Sequence, residues 1–200
     1  MKFSIIVPHY DGVISDEQFI EGMASIAQST YKNFEVRVYH DGPTSRPLPD
    51  LDQFGFEYSF RATKKRYNDW GHSLRDLGIR EAKGEYIVHF NPDNLLYPDV
   101  LGQVARLDSD IIICPIALEG TLRQGNNLMR TWNKEDRVVL DGFPPIYQNI
   151  DAMQLIARKS FWLKQGGWFD KSEQSDGKMY QEFCQRSTPL YCGYLIGLHR

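Results

Sequence analysis

Cysteine is scarce: Cys114, Cys184 and Cys192 are the only three in 200 residues, and no two share a CxxC spacing. Neither a thiolate zinc cluster nor a disulfide framework is encoded, and such usage fits a reducing compartment. A basic excess is missing as well. Lys and Arg total 23 against 26 Asp and Glu, a net charge of -3, which leaves nothing to neutralise a nucleic-acid backbone. Long hydrophobic runs are also absent. Phe3 to Val7 is five residues long before Pro8 interrupts it, too short for a signal-peptide core. Ile111 to Leu118 contains Pro115 and falls far below the roughly 18 residues of a membrane span. The expectation is a soluble, cytoplasmic protein with no nucleic-acid partner and no membrane span.

What is present is ordinary globular material, 42% hydrophobic and 24% charged, in a length that fits one domain around one core. Phe3 to Val7 is β-branched and nearly continuous in apolar character, as in a strand buried on both faces. Ser15 with Gln18 reads as a capping box, and Phe19, Ile20, Met23, Ile26 and Ala27 then recur at helical spacing. Phe34 to His40 alternates as a strand and stops at Asp41-Gly42-Pro43, which completes a βαβ unit. A further short strand is expected over Phe56 to Phe60, a helix from Trp70 to Gly84, a strand over Tyr86 to Phe90, a short helix from Pro98 to Arg106, and a strand over Asp110 to Ile116. Gly120 to Asn127 and Asp141 to Asn149 read as loops around a sparse segment, Leu128 to Leu140, that takes no assignment. Lys159 to Gln165 looks helical, Gly166-Gly167 breaks it, Met179, Tyr180, Phe183 and Cys184 mark another helix, and Leu190 to Leu198 a last strand.

Strands alternating with helices imply a doubly wound α/β sheet whose ligand crevice lies beyond the carboxyl ends of the strands. Three polar strand ends should meet there: Asp11, Asp41 and Asn91-Pro92-Asp93-Asn94. Carboxylates so placed can read a nucleotide or hold Mg²⁺ or Mn²⁺ beside a diphosphate. The same residue types are also plain turn formers. Lone histidines such as His40, His72 and His89 read as packed or exposed rather than ligating. Arg75 reads as a solvated helix residue, Trp162 as core, and Trp168 as core or as a surface on which a sugar ring stacks.

The order and spacing of the whole set resemble the family 2 glycosyltransferases of the GT-A fold. Phe3 to Asp11 is similar to that family's opening strand and Pro-x-Tyr-Asn turn, with Asp11 in place of Asn. Phe34 to Pro43 is similar to the second strand and its Asp-Asp-Gly-Ser ending, with His40 and Pro43 departing from it. Gly71, Arg75, Gly78 and Ala82 to Tyr86 recur where the family carries Gly, Arg-Asn-x-Gly-Ile and Ala-x-Gly-Glu-Tyr, although Asp76 replaces Asn. Asn91 to Asn94 with Pro98-Asp99-x-Leu101 stands where the metal-binding Asp-x-Asp and its Pro-Asp-x-Leu fall, with Asn91 and Asn94 replacing carboxylates. Gly166 to Asp170 is similar to Gly-Gly-Phe-Asp, and Ser175-Asp176 to the Glu-Asp pair that supplies a base.

The resemblance implies a GT-A type Rossmann-like layered fold, a central mostly parallel sheet flanked by helices, in a single domain. Residues 1–117 would form its nucleotide-sugar half and residues 118–200 its acceptor-binding and catalytic half. It implies an inverting glycosyltransferase that moves a sugar from a nucleotide-diphosphate donor, with uridine the leading base, to a saccharide or other acceptor hydroxyl. Pro8, Tyr10, Asp11, Asp41 and Arg75 would contact the nucleotide, Asp93 and His199 a Mn²⁺ or Mg²⁺ ion, Trp168 and Asp170 the acceptor, and Asp176 would be the general base. The replacements Asn91, Asn94 and Ser175 keep open a degenerate module of the same fold that binds nucleotide or sugar without transfer.

Overall fold

The computed structural model describes residues 2–125, 127–147 and 149–200. Among these residues the chain runs β1 (Phe3–His9), α1 (Asp16–Ala27), β2 (Phe34–His40), a 3-10 turn (Asp52–Phe54), β3 (Glu57–Ala62), α2 (His72–Glu81), β4 (Tyr86–His89), β5 (Leu95–Leu96), α3 (Val100–Val104), β6 (Ile111–Ile113) and β7 (Ile116–Glu119). It continues through β8 (Thr121–Gln124), β9 (Asn127–Arg130), β10 (Arg137–Leu140), β11 (Leu155–Arg158), α4 (Lys159–Lys164), α5 (Ser175–Arg186), β12 (Leu190–Tyr191) and β13 (Gly197–His199).

A seven-stranded sheet forms the centre in the order β12-β6-β11-β4-β1-β2-β3. β1 pairs in parallel with β2 and β4, and β2 with β3, whereas β11 is antiparallel to both β4 and β6. The sheet therefore takes strands from residues 1–117 and from residues 118–200. A four-stranded sheet has the order β10-β7-β13-β5, and β8 with β9 makes a separate hairpin. This is the mostly parallel layered α/β architecture expected.

β1 shows why both sheet faces are covered. Phe3, Ile5 and Val7 pack with Phe19, Met23 and Ile26 of α1 on one face. Ile6 packs on the other with Leu74 and Ile79 of α2, Trp162 of α4, and Met179, Tyr180 and Phe183 of α5. The α1 capping box is present, with Gln18 N–H donating to Ser15 Oγ at 3.2 Å and the Gln18 side chain returned to Ser15 N–H at 3.1 Å. α2 approaches β1 closely: a Cβ at Gly78 would lie 2.4 Å from Ile6 Cγ2, so only glycine fits there.

Two expected strands divide. Cys114-Pro115 separates β6 from β7, because Pro115 has no N–H to continue the ladder. Leu190 to Leu198 becomes β12 at the edge of the large sheet and β13 in the small one. The expected loop Gly120 to Asn127 instead forms β8 and opens β9, the chain reversing at Gly125, whose φ is 62°; the unassigned Leu128 to Leu140 completes β9 and supplies β10, and β11 enters the centre of the large sheet as its antiparallel member. No helix among the described residues is long and apolar enough to cross a membrane.

Candidate functional site

The carboxyl ends of β1, β2 and β4 open onto a cleft of about 450 Å³, lined by Pro8, Tyr10, Asp41, Arg66, Asn68, Trp70, Gly71, Asn91 and Asp93 among others. This is where parallel-sheet topology puts a ligand crevice. Asp41 is almost fully buried at the end of β2. Its carboxylate accepts the backbone N–H groups of Tyr67 at 2.7 Å and Asn68 at 3.0 Å, and Arg66 Nε lies 3.7 Å away. Asp41 thus shapes the lip of the cleft as well as facing it. That lip is strained: Asn68 and Trp70 hold φ of 56° and 54°, in the left-handed region. The Arg66 guanidinium lies 3.7 Å over the Tyr10 ring.

Asp11 is placed differently from expectation. Its carboxylate accepts Ser45 N–H at 2.7 Å and Ser45 Oγ–H at 2.8 Å and lies 3.2 Å from His40 Nε2. Burial works against its charge, yet the Ser45 bonds and His40 hold its pKa down at about 2. Asp11 faces a small void with His9, His40 and Arg46 rather than the cleft. His40 Nδ1–H points at Gly42 O, 2.7 Å away, and its Nε2 takes Asp11 N–H. The His40 departure from an acidic pair is therefore a turn-building replacement.

Arg75 lies behind two cleft-lining residues, Trp70 and Asn91. It is 3% exposed on α2, donates to Trp70 O at 2.8 Å and to Asn91 Oδ1 at 2.6 Å, and makes no ion pair among the described residues. Its Nε has no partner there. Burial pulls its pKa down while Tyr180, Asp176 and Asp151 pull it up. A buried guanidinium with spare donors and no carboxylate in contact is suited to an incoming anion.

Behind Arg75 lies an acidic pair. Asp176 sits in the first turn of α5, whose N-cap is Gln174. Burial first, and the charge of Asp151 second, push its pKa up to about 6. Gly177 N–H donates to its Oδ1 at 2.8 Å. Asp151 accepts Met153 N–H at 2.9 Å through Oδ1 and lies 3.1 Å from His199 Nδ1 through Oδ2. Burial would raise the Asp151 pKa, but His199 holds it below the usual range. Burial works against the charge of His199, but the charge and hydrogen bond of Asp151 together with the charge of Asp93 leave its pKa raised. No local pattern marked Asp151, which stands in the loop before β11; only the pairing of β11 with β4 and β6 brings it here.

The Asn91 to Asn94 segment divides its duties. Asn91 is spent on Arg75, and Asn94 is fully buried with Nδ2 3.8 Å from Met153 Sδ and Oδ1 3.4 Å from Arg200 N. Asp93 alone presents a carboxylate to the cleft from this segment. Among the described residues no cluster of three His, Cys, Asp or Glu side chains has metal-ligand geometry. The donor set present is one carboxylate, Asp93, with the half-buried His199 on neighbouring β13. That suits an ion taking most of its oxygens from a substrate diphosphate.

Trp168 corrects an expectation. It is fully buried, stacked on Trp162 at 5.6 Å and on His72 at 5.4 Å, with Arg75 5.1 Å over its ring. Its Nε1–H donates to Ser175 Oγ at 2.9 Å. No sugar can stack on it; it is the apolar support beneath Arg75. Ser175, fully buried between Trp168 and His72, fills a packing role. His72 and His89 are packed, and burial holds His72 near pKa 4 and His89 well below its ordinary value, so both are neutral. Asp170 accepts Ser172 N–H at 2.7 Å and closes a turn beside α5. The residues that sequence reasoning missed are Asp151, Arg66 and Asn68.

A family model described as Glycosyl transferase family 2 matches residues 4–163. A glycosyltransferase of Rickettsia felis is 31% identical over 98 residues, which is 49% of this chain and 16% of that protein. This chain thus spans a small part of that relative's length. Staphylococcus aureus TarS superposes with a TM-score of 0.75 at 17% identity, over 100% of this chain and 60% of that one, and has been solved with UDP and with UDP-GlcNAc. The mannosyltransferase PcManGT of Pyrobaculum calidifontis, in complex with GDP-Man and Mn²⁺, superposes with a TM-score of 0.70 at 13% identity, over 98% of this chain and 56% of that one. The fold is that of these GT-A transferases.

Proposed function

This chain belongs to glycosyl transferase family 2, and from that premise we propose that it transfers a sugar from a nucleotide-diphosphate donor, a UDP-sugar, to an acceptor hydroxyl with inversion at the anomeric carbon. The observation that carries the reading is Arg75, a buried guanidinium bonded to the cleft residues Trp70 and Asn91 and without a carboxylate of its own. A diphosphate supplies the missing charge. Tyr10 offers the base a ring face once Arg66 moves aside, Asp41 and Asn68 offer polar contacts at the cleft lip, and Pro8 and Gly71 bound the opposite wall. The UDP complexes of TarS support uridine as the base.

Asp93 and His199 are the residues that would hold a Mn²⁺ or Mg²⁺ ion. Such an ion offsets the charge that grows on the departing diphosphate. Arg75 does part of the same work from the protein side. Asp176 accepts the proton of the acceptor hydroxyl as its oxygen forms the new bond to the anomeric carbon and the bond to the diphosphate oxygen breaks. A carboxyl pushed up to about 6 is ionised at neutral pH yet more basic than an exposed Asp, as general-base work requires. Asp151 raises that basicity through its charge. Asp170 stands beside α5 as an acceptor-side residue.

The rival reading, a module that binds without transfer, draws on Asn91 and Asn94. Their places in the structure weaken it, since Asn91 positions Arg75 and Asn94 is core. Calorimetry of UDP with and without Mn²⁺, on wild type and Asp93→Asn, tests the donor site. The expected result is UDP binding that Mn²⁺ strengthens in wild type only. Absence of UDP binding to wild type sinks the reading, and an equal Mn²⁺ effect in both proteins removes Asp93 from the metal site.

A further inference from the structure

The second half of the chain carries a surface that the donor cleft does not use. The loop after β10, from Asp141 to Tyr147 with Asn149 beyond, joins Arg123 of β8 in walling an open pocket of about 650 Å³. Two rings supply its apolar part. Phe143 is 64% exposed and Tyr147 is 52% exposed, and Phe143 meets Tyr191 edge-on at 5.3 Å, which fixes its plane. Polar groups flank the rings. Asp141 Oδ1 accepts Phe143 N–H at 3.0 Å and Asn149 Nδ2–H at 3.3 Å, and Asn149 Nδ2 also donates to Pro144 O at 2.9 Å. These bonds hold the loop and leave Asp141 Oδ2 and Asn149 Oδ1 with no partner among the described residues.

Exposed aromatic faces beside free carboxylate and amide oxygens suit a saccharide. The C–H face of a pyranose packs on a ring while its hydroxyls donate to the oxygens. A lipid chain would instead strip water from Asp141 and Arg123 without replacing it. The pocket also abuts the helix that carries Asp176. A Cβ at Gly177 would lie 2.9 Å from Tyr147 Cα and 3.0 Å from Tyr147 N. Only glycine permits that approach, and it seats the Tyr147 backbone on the first turn of α5, one residue from Asp176.

We propose that this pocket holds a saccharide acceptor, with Phe143 and Tyr147 as its platform and Asp141 and Asn149 reading its hydroxyls, so that a reacting hydroxyl reaches Asp176. The proposal rests on the transferase reading above and moves the acceptor contacts from Trp168 to the loop after β10.

Saturation-transfer NMR on the full chain, with lactose, maltotriose, chitotriose and mannotriose as probes and with or without UDP, tests it. At least one probe should receive saturation from wild type. Phe143→Ala and Tyr147→Ala should each weaken that binding about tenfold or more, the scale of a well-placed aromatic contact. Both rings are largely exposed, so neither truncation threatens the fold. UDP titration of the same proteins separates the two readings. If wild type takes no UDP while saccharide binding is present and lost in the variants, the donor reading fails and this site stands. UDP binding with no saturation of any probe, or variants that bind the probes as wild type does, overturns this site alone.

Discussion

Asp176→Asn should make the protein more stable and far less active, and the two effects share one cause. The folded carboxyl titrates at about 6 against an ordinary 3.8, because burial and the Asp151 charge disfavour ionisation. A pKa difference of one is worth about 1.4 kcal/mol, so the ionised carboxylate costs the fold at most about 3 kcal/mol at neutral pH. Between pH 3.8 and about 6 the folded state holds more proton than the unfolded chain, so stability falls as pH rises through that window. Below it both states are protonated and the cost vanishes. An amide is neutral throughout and keeps an oxygen for Gly177 N–H. Thermal unfolding of the two proteins from pH 3 to 8 is the assay. The curves should coincide near pH 3 to 4 and separate above it. The Asp176→Asn variant should be ahead by up to roughly 6 to 12 °C at pH 8, at about 2 to 4 °C per kcal/mol for a chain of this length. Transfer should fall about 10²- to 10⁴-fold, the usual worth of a general base. Wild-type kcat/KM should rise along a limb near the same pH. A variant whose stability relative to wild type is the same at pH 3 and pH 8 would show that Asp176 carries no buried charge, and undiminished transfer would remove it as the base.

Arg75→Met should lower UDP affinity about tenfold to a hundredfold while leaving uridine affinity unchanged, because the guanidinium serves the diphosphate; charged hydrogen bonds of this kind are worth about 1.5 to 3 kcal/mol. The same change should cost no more than about 1 kcal/mol of stability, since the burial cost of the charge leaves with it; calorimetry with the two ligands and a denaturant titration check both halves. Trp168→Ala should destabilise by about 3 to 5 kcal/mol, the cost of emptying a fully buried large ring, and denaturant unfolding that finds less than about 1 kcal/mol would put Trp168 back at the surface.

Much of the first half is legible because local signals and tertiary structure agree there. β1, α1, β2, α2 and β4 fall within a few residues of their periodic patterns, and the crevice at the ends of β1, β2 and β4 follows from topology rules alone. The second half was not legible for identifiable reasons. β11 is a short apolar strand running directly into α4, so no turn residue announces it. The hairpin β8–β9 and strand β10 are exposed and mixed in polarity, which hides a period of two. Leu190 to Leu198 reads as one strand because composition does not say which sheet each end joins.

The sequence by itself determined the layered α/β architecture, the order of its leading elements, and the placing of Asp41 and Asp93 at strand ends, because these follow from spacing along a chain that alternates strand and helix; Arg75 and Asp176 stood out through the family resemblance. Only the tertiary structure decided what each side chain faces. It turned Asp11 to Ser45, put Trp168 into the core, gave Asn91 to Arg75, and set Asp151 between His199 and the charge of Asp176. Those outcomes depend on contacts between residues far apart in the chain, and on how much water each group loses, quantities that no local pattern encodes.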